Sequence, residues 1–274
     1  MSTELVTTHT HTYFCGHAKG SVEEMVQAAR AAGVTTLALT EHYPLSPVFD
    51  YRDFICMHKE KVPAYFQEID EAREKYHDIE IIRGTEFDWL GDYDDRNLTQ
   101  KDLDPFDIVL GSVHFVDGWC MEDVEKVSRW ESQDQTDLLW RRYFKAWCEA
   151  VSTNKFQFTI MSHPDVVKKF GYYPSFDPLP LYEDAVTAAA ESGRLIELNT
   201  SGAYKPCKEM YPGLTLLSLF CKAGVPCTIG TDAHKPAHIA RGIREGYKLL
   251  YEAGYREITV PTRTRDRRVI PLEI

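Results

Sequence analysis

Seven of the ten histidines in this 274-residue chain stand where short apolar runs end, or on the loops that follow. The densest group is Thr7-Thr8-His9-Thr10-His11-Thr12-Tyr13-Phe14-Cys15-Gly16-His17, three imidazoles within nine positions, just after Leu5-Val6. Imidazole is the commonest protein ligand for transition metals. Residues two apart on a strand face the same side, so His9 and His11 can aim at one point while His17 folds back from the loop. Gly16 and Gly20 flank His17 and permit the tight turn this requires. Taken alone, the stretch could equally hold three ordinary solvent-facing histidines. The rest of the chain decides against that. His42, Glu86, His114, His163, Asn199 and the pair Asp232/His234 each close a run of strand character. His58, His77 and His238 fall in or near predicted helices and read as surface residues.

The elements that must position these groups alternate. Strands are predicted at Leu5–Thr8, Thr35–Thr40, Ile79–Thr85, Asp107–Val113, Phe156–Ser162, Arg194–Leu198 and Pro226–Gly230. Helices are predicted at Ser21–Ala32, Met57–Tyr76, Asp134–Ser152, Leu181–Ser192, Leu214–Ala223 and Ile239–Ala253. Ser21 and Glu24 form a capping-box signature, and Gly33 suits the residue after a helix. Trp140, Tyr143, Phe144 and Trp147 share one helix face and read as core. A last extended piece covers Glu257–Pro261, and the basic Arg263, Arg265, Arg267 and Arg268 read as a solvated tail. Short apolar strands alternating with helices give an α/β class with parallel strands. Seven such units point to a closed TIM-like barrel, whose active sites lie at the C-terminal strand ends. An open doubly wound sheet would be expected to carry a glycine-rich phosphate turn after its first strand, where this chain has His-x-His. No linker or repeat interrupts residues 1–274, which read as a single domain.

Composition bounds the function. With 43% hydrophobic and 27% charged residues the chain is an ordinary globular one, able to bury a large core. A net charge of −11 disfavours nucleic-acid and anionic-membrane partners. No apolar run approaches the length of a membrane span. Seven scattered cysteines, none in a C-x-x-C pair, and an N-terminus without signal-peptide character point to a reducing, cytoplasmic location.

Seven histidines, one Glu and one Asp are too many ligands for one four-coordinate ion. Glu86 can bridge, so two or three ions are implied. Closely spaced metals serve phosphate-ester hydrolysis, clamping phosphoryl oxygens and converting a bound water to hydroxide near neutral pH. Neutral imidazoles leave such a site net positive, which suits a phosphate dianion.

The ordered set His9-Thr-His11, His17, Thr40-Glu41-His42, Gly84-Thr-Glu86, Leu110-Gly-Ser-Val-His114, Ser162-His163 and Gly230-Thr-Asp232-Ala-His234 resembles the PHP (polymerase and histidinol phosphatase) family. The resemblance runs the length of the chain. Phe14–Ser21, Leu110–Trp119 and Glu197–Pro206 are most similar to its stand-alone branch that hydrolyses histidinol phosphate. It implies a distorted (β/α)7 barrel with a trinuclear centre of zinc, iron or manganese. His9, His11, Glu86 and Asp232 would hold one ion, His17, His42 and His234 a second, and Glu86, His114 and His163 a third. It further implies hydrolysis of L-histidinol phosphate to L-histidinol and phosphate in histidine biosynthesis, with metal-held hydroxide as nucleophile. Another small phosphate ester, or exonuclease activity, is the alternative.

Two departures stand out. Glu41 replaces an Asp common in relatives, and Tyr204 replaces an Arg common there. If that Arg contacts phosphate, Lys205, Lys168 or Lys169 must compensate. His234, Asp232 and Asp165 are candidate catalytic groups, Asp165 also as a reader of a substrate cation or as a turn cap. Asn199 could orient substrate or water, and Tyr204 and Lys205 complete the candidate substrate site.

Overall fold

The computed structural model describes residues 4–130 and 132–273. Residues 1–3, the start of the stretch read as lacking a signal peptide, and residues 131 and 274 lie outside the described residues. Eleven strands are assigned among the described residues: β1 Leu5–Thr7, β2 Val34–His42, β3 Glu80–Asp88, β4 Ile108–Ser112, β5 Phe115–Val116, β6 Trp119–Cys120, β7 Ile160–Met161, β8 Leu195–Asn199, β9 Cys227–Gly230, β10 Glu257–Pro261 and β11 Arg267–Pro271. The α-helices are α1 Val22–Ala31, α2 Val62–Lys75, α3 Gln100–Leu103, α4 Gln133–Ser152, α5 Leu179–Ser192, α6 Leu214–Lys222 and α7 Ile243–Ala253. Seven parallel strands pair in the order β1-β2-β3-β4-β7-β8-β9. The last meets the first through Thr8 N–H to Ile229 O at 3.0 Å and a Thr10–Ala233 bridge, so the barrel is nearly closed. This is the expected distorted seven-stranded α/β barrel.

Two apolar layers build it. Ala38, Ile82, Ile108, Leu110, Ile160 and Leu195 form a small buried cluster of strand residues separate from the main core. The larger core joins the strands to the helices and includes the aromatic face of α4. Period-2 alternation carries the first set upward. Ala38 leads to His42, Ile82 to Glu86 and Asp88, Leu110 to Ser112 and His114, and Leu195 to Glu197 and Asn199. The strand faces that fill the interior therefore deliver polar groups at their C-terminal ends.

Local signals decide the helix starts. Ser21 caps α1 with a complete capping box to Glu24. Pro63 sits in the first turn of α2, after a 3-10 turn at Lys59–Lys61, so the helix predicted from Met57 begins at Val62. The helix predicted from Ile239 begins at Ile243, after Pro236–His238 and Gly242 in the left-handed region (φ 80°). Only Ile160–Met161 of the predicted strand at 156–162 pairs as one. The basic C-terminal segment is not a solvated tail. Arg267–Pro271 pairs antiparallel with Glu257–Pro261, and Arg268 bonds Glu4 (2.7 Å) and Thr36 (2.8 Å).

Candidate metal centre

The side chains at the barrel mouth converge. His9 Nε2 and His11 Nε2 lie 3.1 Å apart. Glu86 Oε2 is 3.3 Å from the first and 3.4 Å from the second, and Asp232 Oδ1 is 3.4 Å from His11 Nε2. The other Glu86 oxygen, Oε1, faces His163 Nε2 at 2.8 Å and His114 Nε2 at 3.4 Å. His114 and His163 present Nε2 to each other at 3.1 Å. His17 Nε2 and His234 Nε2 are 3.0 Å apart, and His11, His42 and His234 bring ligating atoms within 4.8 Å of one another. All nine expected ligand residues are thus gathered, with Glu86 turned toward two sets.

Three imidazole pairs meet nitrogen to nitrogen, and in the His17–His234 pair both outer nitrogens say which protons they carry. His17 Nδ1 faces Phe54 O (3.0 Å) and His234 Nδ1 faces Asp232 O (3.0 Å). A carbonyl only accepts, so both Nδ1 atoms are protonated and both neutral Nε2 atoms present lone pairs. Likewise His9 Nδ1 meets Glu197 Oε1 at 2.9 Å, and His114 Nδ1 meets Asp88 Oδ1 at 2.7 Å. In the His17–His234 pair, two lone pairs facing at 3.0 Å repel unless a cation lies between. Two imidazole nitrogens on one tetrahedral zinc ion, at about 2.0–2.1 Å each, stand about 3.3 Å apart. The donor set therefore fits a group of divalent cations.

Electrostatics agree. Glu86 is 1% exposed and His9 wholly buried. Burial alone would depress the pKa of His9, but Glu197, Glu86 and Asp232 together raise it well above its ordinary value. Burial is likewise overcome at His114, where Asp88 and Glu86 push the value up to about 10. The carboxyls of Glu86 and Asp232 resist burial and stay well below the usual range because histidines surround them. His234 is pushed the other way, to about 3, by burial and then by His11. Glu86 and Asp232 stay charged among these histidines, while burial holds His11, His42 and His234 below the ordinary imidazole value although a carboxylate oxygen lies 3.4, 3.0 and 3.4 Å from each.

The ring behind the ligands was mostly missed in the sequence. Glu197, Asp88 and Glu41 are all buried. Glu197 bonds His9, accepts the His163 N–H at 2.9 Å and binds Asn199 Nδ2 at 3.1 Å. Glu41 accepts from the Thr12 N–H and from Thr12 Oγ1 (2.6 Å), and its Oε1 or Oε2 lies within 4.8 Å of a His11 nitrogen and of Cys15 Sγ. A charged residue inside an otherwise apolar strand, as in Leu195-Ile196-Glu197, was the available signal, because a buried charge needs a partner. His163 (φ 27°) and Asp232 (φ 49°) adopt left-handed backbone, a conformation that costs non-glycine residues about 1–3 kcal/mol.

A cavity of about 620 Å³ opens over the cluster, lined by His17, His42, Glu86, His114, His163, Asp232 and His234 together with Lys169, Tyr204, Lys205 and others. Three expected substrate or catalytic residues do not line it. Lys168 is buried between Asp165 (3.0 Å) and Glu209 (3.0 Å), so its ammonium is spent on an internal ion pair. Asp165 accepts from Lys168 and from the Gly213 N–H (2.9 Å), so it joins elements and does not read a substrate. Asn199 binds Glu197 and the Ser201 N–H and approaches Asp232 at 3.5 Å, behind the ligands. His234, held neutral, is no proton donor at neutral pH. Conversely His238, read as a surface residue, lines the cavity, as does the unforeseen Arg241.

The PHP domain family model matches residues 7–201. A Deinococcus radiodurans protein named "Probable histidinol-phosphatase" is 32% identical over 275 residues, covering 98% of this chain and 100% of that one. An Acetivibrio thermocellus protein named "Probable phosphatase" is 28% identical, covering 90% and 86%. In fold the chain resembles the Lactococcus lactis histidinol phosphate phosphatase, whose crystal structure holds zinc, L-histidinol and phosphate. The TM-score is 0.77 at 23% identity, over 96% of this chain and 98% of that one.

Proposed function

The chain belongs to the PHP domain family, and we propose that it is a metal-dependent phosphomonoesterase that hydrolyses L-histidinol phosphate to L-histidinol and phosphate. The observation that carries the hydrolytic reading is Glu86, whose two oxygens face two histidine sets beneath an open cavity. The substrate follows the relative from Deinococcus radiodurans, matched end to end.

Three ions are proposed, on the ligand sets given above, with zinc, iron and manganese all compatible with His/carboxylate ligation. When bound, divalent ions supply an acidified water and neutralise phosphate charge. The protein's own residues do the rest. Glu197 and Asp88 fix which nitrogen of His9 and His114 carries the proton, leaving each Nε2 a lone pair. Asp232 touches the histidines and also opens to the cavity. Held ionised, it accepts a hydrogen bond from the attacking water and orients it. Lys169, on the cavity wall, pairs with Glu122 at 2.7 Å. A zwitterionic substrate can exchange with that pair, its phosphate meeting Lys169 and its ammonium Glu122. An ester without an amine would leave Glu122 unpaired.

Seven free cysteines and the absence, among the described residues, of a helix long and apolar enough to cross a membrane support the cytoplasmic reading. The deciding experiment is phosphate release from histidinol phosphate against a panel of monoesters, before and after chelation and again after metal return. An unchanged rate after chelation refutes the metal mechanism. A better rate on an amine-free ester favours a general phosphatase, as the name of the Acetivibrio thermocellus relative allows.

A further inference from the structure

Among the described residues six cationic side chains of Lys or Arg line the cavity, and they divide into two kinds. Arg52 pairs with Asp123 at 3.0 Å and Lys169 with Glu122 at 2.7 Å. Lys19, Lys205, Lys235 and Arg241 make no ion pair among the described residues. The chain has 42 acidic against 31 basic residues, so four such cations around one cavity are not a consequence of composition.

Arg241 differs from the three lysines. It is half-buried, and its guanidinium lies over the Tyr204 ring, 3.3 Å from the centroid. Its one side-chain hydrogen bond is between Nη1 and His238 Nε2, at 3.2 Å. Stacking engages the face of a guanidinium and leaves the in-plane N–H donors free, in the fork that matches two phosphate oxygens. The position is fixed from behind. The Arg241 carbonyl accepts from Thr200 Oγ1 at 2.7 Å. Gly242 (φ 80°) packs so closely that a Cβ there would stand 3.1 Å from Thr200 Cβ and 3.2 Å from the Tyr204 hydroxyl. The same turn carries Ser201, whose hydroxyl reaches Asp232 Oδ2 at 3.3 Å. One short turn therefore ties this guanidinium to the carboxylate that faces the histidine cluster.

We propose that Arg241, held against Tyr204, grips the phosphate of the substrate at the cavity lip and sets the enzyme's affinity for phosphate dianions. This rests on the phosphomonoesterase reading. The positive charge that the family resemblance leads one to expect at position 204 is delivered from the turn that precedes α7, with the residue at 204 serving as its platform.

The test uses the metal-loaded full chain as wild type, Arg241→Ala, Arg241→Lys and the relocation variant Tyr204→Arg/Arg241→Ala. Three quantities are read: metal content, dissociation constant for inorganic phosphate, and KM and kcat on histidinol phosphate. Arg241→Ala is expected to weaken phosphate binding and raise KM by about 10- to 100-fold at unchanged metal content. Arg241→Lys, which keeps the charge but not the fork, is expected to fall between, and the relocation variant to recover most of the loss. Phosphate affinity within twofold of wild type in Arg241→Ala overturns the proposal. Should Arg241→Ala lose metal or fold poorly, Arg241→Lys decides, and phosphate affinity equal to wild type there overturns it as well. A wild type that binds phosphate through Arg241 yet leaves histidinol phosphate intact refutes the substrate reading and not this one.

Discussion

Replacing Glu197 by Gln changes one oxygen to an NH2 group, and the structure dictates where that group goes. Oε2 accepts two donors that cannot reverse, the His163 N–H at 2.9 Å and the Asn199 amide at 3.1 Å. The Gln oxygen must stay there. The NH2 then occupies the place of Oε1, 2.9 Å from His9 Nδ1. A donor facing Nδ1 forces His9 into the other tautomer, with its proton on Nε2. That is the nitrogen that faces His11 and Glu86, and a protonated nitrogen cannot ligate. The cost to the fold is the difference between a charge-assisted and a neutral hydrogen bond, about 1 kcal/mol. The cost to metal affinity is about 10- to 100-fold, the usual effect of removing a partner that orients a ligand. The assay is metal competition against a calibrated chelator, with thermal unfolding of the metal-free protein as control. Glu197→Gln should lose metal affinity while its metal-free melting point falls only slightly. Wild-type metal affinity in this variant refutes the tautomer argument, whatever happens to activity.

His17→Ala removes one member of the pair facing at 3.0 Å, and His17 is exposed, so the fold should survive within about 0.5 kcal/mol. The variant should retain less metal after dialysis than wild type and lose about 100-fold or more in rate; full metal content would refute its assignment as a ligand. Glu122 is held down to about 2 because, although burial opposes it, Lys169, His114 and His163 favour the carboxylate. A depressed carboxyl stabilises above its unfolded value of 4.5, and that stability is lost as pH falls toward 2. The stability difference between wild type and Glu122→Gln should thus shrink by about 2 kcal/mol between pH 6 and pH 3, measured by urea unfolding.

Much of this was legible because the chemistry sits where the periodicity changes. Seven apolar strands end in His, Glu, Asn or Asp, and the barrel carries those ends to one face. What the sequence hid depends on direction. Lys168 and Lys169 are neighbours in the chain, yet the 3-10 turn at Val166–Lys168 sends one ammonium inward to Asp165 and the other to the cavity. Nothing in a Lys-Lys pair distinguishes them. Arg241 was invisible because its role depends on Tyr204, which is distant in sequence and close only once the barrel is formed. Glu197 and Asp88 were readable in principle. Each lies an even number of residues beyond an interior-facing Leu195 or Ile82, so alternation already points it at the mouth. The C-terminal arginines were misread because charge outweighed the β-branched alternation that pairs 267–271 with 257–261.

Metal binding and protons compete for the same nitrogens, and the direction of that competition can be measured. In the metal-free protein, carboxylates overcome burial to raise His9 well above its ordinary value and His114 to about 10. Raised histidines stabilise the fold below their unfolded value of 6.5, and that contribution is lost as pH climbs through the folded value. A cation bound to either Nε2 must displace its proton, so the metal-loaded state gains with rising pH instead. Each displaced proton makes apparent metal affinity rise tenfold per pH unit, about 1.4 kcal/mol. The increase in melting temperature on adding zinc should therefore grow between pH 6 and pH 9, while the metal-free melting temperature falls. Calorimetric titrations in buffers of different ionisation enthalpy should count the protons released, at least one per protein. A zinc-induced stabilisation that is flat with pH, with no proton release, would mean that His9 and His114 are not ligands and that their carboxylate partners serve packing alone.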